Sequence, residues 1–328
     1  MSVVAATNPK QDAQALLPPG YEARLLEPSL PAINDGEYKA DDPAAADGRD
    51  PSRRLVTPTT AGDVTWSAMA ARLPELTDYC SDHWLGAWRR LPALPDDWAQ
   101  SVAALGQLAF HVLAPARFRD QGKMGLRYTY QGFGTPFFGA DRQIRLEGEH
   151  LVMQDGDITR GEEITTLHDA TKLVGIEYQE TWGPQWHDPP AAADPYSPLK
   201  VDRASVLVCS DIIGFGFSVL EQIRIEANED ENPSRVQLWP EHFDAAVEIG
   251  IEGDGRRAGF GVSPGYAAHP EPFVYVSPWA KDWLEDPYWN ADSFGGSILR
   301  FSDLLAAADQ RATALGFLQT GLELLRRR

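Results

Sequence analysis

Apolar and polar residues alternate with period two in four short stretches of this chain, and that alternation limits its fold more than any other feature. Leu126, Tyr128 and Tyr130 oppose Arg127 and Thr129, while Ile144 and Leu146 oppose Gln143, Arg145 and Glu147. Later, Phe243, Ala245, Val247 and Ile249 oppose His242, Asp244, Ala246 and Glu248, and Phe273, Tyr275, Ser277 and Trp279 oppose Val274 and Val276. Successive side chains of a strand point to opposite faces, so each stretch reads as a strand with one face buried. Gly148-Glu149 and Asp155-Gly156 between them are turn signals. Turns this short cannot hold the crossovers that a parallel sheet needs, so an antiparallel α+β architecture is expected over a doubly wound one.

Helices frame the strands. Asp96-Asp97 opens one in which Trp98, Val102, Leu105, Ala109 and Val112 recur at helical spacing, with Pro115 as its expected end. Others are predicted near 162–174, over 203–226 with Leu207, Ile212, Phe215, Val219 and Ile223, and at the C terminus. There Ser302 or Asp309 caps, and Leu315, Leu318, Leu322 and Leu325 face the core. The order divides the chain into an extended arm (1–58), an α+β unit (59–181), a Pro- and Ala-bearing linker (182–199) and a second α+β unit (200–328). Gly132-Phe133-Gly134 and Gly259-Phe260-Gly261 read as turns at equivalent points of the two units, which suggests an internal duplication.

The net charge of −19 and pI near 4.7 argue against a nucleic-acid partner. Cys80 and Cys209 are too few and too far apart for a disulfide framework or a thiolate zinc site, which fits a reduced cytoplasm. No signal-peptide pattern opens the chain, and no membrane segment is expected. Neither nucleotide-loop signature is complete, and Ser263 lies in Gly-Val-Ser-Pro-Gly, which lacks the form of a nucleophile elbow. His111 shares a helix face with Gln107, so an exposed polar face is expected for it.

Two motifs carry the chemistry: Trp239-Pro240-Glu241-His242-Phe243-Asp244 and His269-Pro270-Glu271-Pro272. If each lies on a strand, His242 with Asp244, and His269 with Glu271, project together. Side by side they offer two nitrogen and two oxygen ligands to a divalent metal, or an acid/base set to a small molecule. The competing reading is structural, because Pro270 and Pro272 confine their segment to an edge or a loop. Trp239, Tyr275 and Trp279 are candidate pocket walls, and Asp211 lies on a polar stripe of the helix over 203–226.

On HVLAPARFRDQGKMGLRYTYQGFGTPFFG (111–139) and LWPEHFDAAVEIG…GFGVSPG…HPEPFVYVSPW (238–279), the chain resembles a group of bacterial proteins from high-GC genomes that have no assigned activity. The resemblance covers about 60–328 and implies one integrated fold but no reaction. In element order it is also distantly similar to a bacterial domain that repeats helix and sheet units. Two functions are therefore open. One is a small-molecule enzyme or binder with a His/carboxylate site in the C-terminal half. The other is a non-catalytic protein acting through homo-oligomer or partner contacts of its N-terminal arm.

Overall fold

A computed structural model describes residues 91–328, except 130, 157, 183–188, 192, 283–284 and 292, together with three short strands nearer the N terminus. These are β1 (Ile33–Asn34), β2 (Leu55–Val56) and β3 (Gly62–Thr65), with β1 parallel and β2 antiparallel to β3. The rest of the arm, Cys80, His83, Tyr130, His187 and Trp283 lie outside the described residues.

The first helix buries the face that its spacing predicts, but Pro115 does not end it. Helix α1 (Trp98–Leu108) runs through a π turn (Ala109–Leu113) into α2 (Ala114–Gln121), which closes at Gly122 with φ 65°. Proline has no N–H to give the carbonyl four residues back, here that of His111, and its ring crowds that carbonyl. A widened turn lets the helical path continue past it.

Five strands follow as an antiparallel meander: β4 (Arg127–Thr129), β5 (Gly132–Gly134), β6 (Arg142–Glu147), β7 (His150–Asp155) and β8 (Ile158–Glu163). The helix expected over 162–174 is shorter, α3 (Leu167–Leu173), because β8 takes its first residues and Thr166 caps it by accepting from Asp169 N at 3.0 Å. The described part of the linker packs back on α3, with His168 N donating to Pro195 O (2.9 Å) and Leu199 N to Thr165 O (2.8 Å).

Helix α4 (Arg203–Glu226) has the predicted bounds, and Asp202 caps it by accepting from Ser205 N at 2.9 Å. A second meander comprises β9 (Gln237–Trp239), β10 (Asp244–Ile249), β11 (Ala258–Ser263), β12 (Phe273–Pro278) and β13 (Ser297–Arg300). The chain ends in α5 (Phe301–Ala306) and α6 (Gln310–Arg327). Asp309, not Ser302, caps α6, accepting from Ala312 N at 2.9 Å.

The fold is thus α+β with two five-stranded antiparallel sheets. Leu126 and Leu238 join them at their β4 and β9 edges by exchanging both N–H···O bonds at 2.8 Å. One hydrophobic cluster runs beneath both sheets, with α4 against β4, β5, β10 and β11. By length and hydropathy α4 is apolar enough to cross a membrane, but 78% of that stretch is buried within the protein.

Gly216 sets how closely α4 approaches the second sheet: a Cβ there would lie 2.9 Å from Val262 Cβ and 3.4 Å from Ala245 Cβ. Gly216→Val should therefore cost about 1–3 kcal/mol by overpacking, read as a lower urea midpoint. An unchanged midpoint would contradict close contact of helix and sheet.

Both Gly-Phe-Gly segments, expected as turns, lie in strands: the first is the whole of β5 and the second lies inside β11. The first forms the second strand of its sheet and the second lies in the third strand of its own, so the tripeptides are not at equivalent points. Phe133 and Phe260 are fully buried, which is what a core-facing strand position requires of them.

Candidate functional site

The register of the second sheet separates its two faces. Ala245 and Val262 face α4, so Asp244, Ala246, Gly261 and Tyr275 project from the opposite face. Trp239 stands directly across from Asp244, Ala246 across from Gly261, and Gly261 across from Tyr275. The half-buried Tyr275 ring lies over Gly261, where a Cβ would overlap it. With no side chain in the way, the phenol crosses β11 and donates its O–H to Asp244 Oδ2.

Asp244 is only 4% exposed, and its Oδ1 has no hydrogen-bond partner among the described residues. Burial pushes its carboxyl above the ordinary carboxylate range; the charge of His242 and the phenol bond oppose that rise, and Glu241 adds to it. Burial, with the Asp244 charge and the bond to it, also holds the Tyr275 phenol well above 10. A carboxyl shifted this way, with Oδ2 fixed by the phenol, can give or take a proton at Oδ1.

The other candidates are placed differently. His242 lies in the four-residue turn between β9 and β10, half exposed, with Nε2 3.9 Å from Glu241 Oε1. Between it and Asp244, Phe243 takes a left-handed φ of 49° and buries its ring against Phe133, 5.1 Å between centroids. The two residues are therefore not alternate positions of one strand. His242 stands at the rim, near enough for its charge to act on Asp244.

His269 and Glu271 are exposed in the loop joining β11 to β12, which the Trp98 indole ties down by donating to Pro270 O at 2.7 Å. His269 Nδ1 lies 3.2 Å from the Glu271 carbonyl, and its ring meets Phe273 at 5.0 Å. No group of three or more His, Cys, Asp and Glu able to hold a metal ion occurs among the described residues. The arrangement of His242, Asp244, His269 and Glu271 as four ligands is not formed.

Trp279 is 48% exposed and follows β12, about 20 Å along the sheet from the Phe273 end by strand rise. Its ring carries the Arg257 guanidinium at 5.3 Å and does not wall the Asp244 site. Asp211 belongs to α4, on the sheet's other face. Of the residues singled out, Asp244, Tyr275 and Trp239 come together, with His242 beside them.

His111 is 1% exposed, inside the π turn, and not on an exposed face. Its Nδ1 donates to the Gln179 carbonyl at 3.0 Å, since a carbonyl can only accept, and Nε2 is left without a partner among the described residues. Burial lowers its pKa, partly offset by the Gln179 bond, so the ring stays neutral. The available signal was Pro115, four residues on, which frees the His111 carbonyl and displaces the helix there.

No protein-family model, no curated protein and no solved structure matches this chain.

Proposed function

We propose that this protein binds a small molecule on the outer face of its second sheet and moves a proton to or from it through Asp244. Tyr275 orients the carboxyl, Trp239 stands across from it on the neighbouring strand, and His242 tunes its charge. The observation that carries this reading is the Asp244 carboxyl itself: buried, held by one oxygen, and unpartnered at the other among the described residues. Leaving a buried acceptor unmade costs about 1–3 kcal/mol, and a group kept at such a cost is a candidate for contact with a ligand's N–H or O–H.

A library of small amines, amides and alcohols screened by thermal shift tests the reading. Compounds that raise the Tm of the wild type should fail to raise that of Asp244→Asn or Tyr275→Phe. Compounds that stabilise all three proteins equally would put the site elsewhere. Tyr275→Phe should itself lower stability by about 1–3 kcal/mol, because it removes the phenol's hydrogen bond from a buried carboxyl.

A further inference from the structure

A second concavity lies in the first unit, away from Asp244. It encloses about 1000 Å³ between α2, α3 and the segment 175–182. Both helices turn an i, i+3, i+4 face into it: Pro115, Phe118 and Arg119 from α2, and His168, Thr171 and Lys172 from α3. The third wall brings Tyr178 and Trp182, with Phe118 and Trp182 rings 5.5 Å apart.

Two features distinguish this cleft from an ordinary surface groove. The first is charge. In a chain of net charge −19, Arg119 and Lys172 converge here from separate helices, and neither forms an ion pair with a described carboxylate. Arg119 donates one N–H to Gly175 O at 2.6 Å and keeps its remaining donors for something else. Lys172 senses Asp169, but that carboxylate already accepts from Thr165 and Thr166. Glu177 is the single acid among the described lining residues.

The second feature is the buried support behind the aromatic wall. His111 packs on Tyr178 at 5.0 Å and holds the Gln179 carbonyl through Nδ1, so the π turn anchors the wall from inside. Its unpartnered Nε2 is a further buried polar atom at the same place. A π turn in the middle of a helix is often found at a functional site, since it re-aims the side chains that follow, here Phe118 and Arg119.

We propose that this cleft is a binding site for a planar aromatic anion, with the ring taken by Phe118, Tyr178 and Trp182 and the charge by Arg119 and Lys172. Aromatic walls favour a flat ring, and the two cations select a carboxylate, sulfonate or phosphate on it. His111 is a positioning residue that fixes the wall.

Titration calorimetry of the full chain with 2-naphthoate, and with neutral 2-naphthalenemethanol as control, tests this directly. The naphthoate should bind at one site per chain and at least ten-fold more tightly than the neutral compound. Arg119→Gln with Lys172→Gln, both exposed and harmless to the core, should remove that preference, whereas Asp244→Asn should leave it intact. His111→Phe should weaken both compounds together, because it loosens the wall and leaves the cations in place. Equal affinity for the two compounds, no binding, unchanged binding by the double variant, or loss of binding on Asp244→Asn would each overturn the assignment.

Discussion

Replacing Asp244 by asparagine is expected to abolish small-molecule binding at the second sheet and, at the same time, to make the protein more stable at neutral pH. The two effects have one cause. Burial raises the folded-state pKa of this carboxyl above its unfolded value, so its protonated form is the one the fold favours. For a group shifted this way, the stability contribution is fully present below the unfolded pKa, near 4, and is lost as pH rises through the folded value. At pH 7 the wild type therefore carries a cost that asparagine, which is uncharged, does not. The gain should be about 0.5–2 kcal/mol, the range usual when one destabilised functional position is relieved. Urea melts at a series of pH values provide the measurement. The difference between variant and wild type should grow with rising pH above 4 and vanish or reverse below it. A difference that does not change with pH, or a variant less stable at pH 7, would contradict the assignment.

The strands and their faces were legible in the sequence because period-two alternation is a local signal. Val247 and Ile249 are buried as the alternation requires, and the helix over 203–226 has its predicted length because Asp202 and the apolar stripe are both local. What was not legible depended on partners distant in the chain. Tyr275 lies 31 residues from Asp244 and reaches it only because β11 carries glycine at the crossing point. The spacing of His242 and Asp244 suggested a shared face, yet Phe243 adopts a left-handed turn to bury its ring against Phe133. A non-glycine residue there is uncommon, and tertiary packing, not its own preference, puts it there. Pro115 likewise reads as a helix end by its local chemistry, and the π turn that accommodates it is supported by packing around Phe110 and His111.

The Gly-Phe-Gly segments show the same division most sharply, and substitution of their four glycines should give three different outcomes. Each reads alike in sequence, and none has the positive φ that a turn glycine would need. Gly259 has open space where a Cβ would go, so Gly259→Ala should be neutral or stabilise by up to about 1 kcal/mol by restricting the unfolded chain. At Gly261 the new Cβ meets the far end of the Tyr275 side chain, which can swing aside. Gly261→Ala should leave the fold intact but break the bond to Asp244, reproducing the binding loss of Tyr275→Phe. At Gly132 and Gly134 the obstacle is the backbone of β6, the carbonyls of Leu146 and Ile144, which cannot yield without parting the strands. Gly132→Ala and Gly134→Ala should each cost more than about 3 kcal/mol, the level reached when backbone clash disrupts packing in a core sheet. Thermal melts of the four variants, with the Asp244 carboxyl followed by carbon NMR across pH, separate the cases. A uniform loss of stability across all four would show that these glycines serve a common turn geometry, and that the crossing of Tyr275 over Gly261 does not hold the site together.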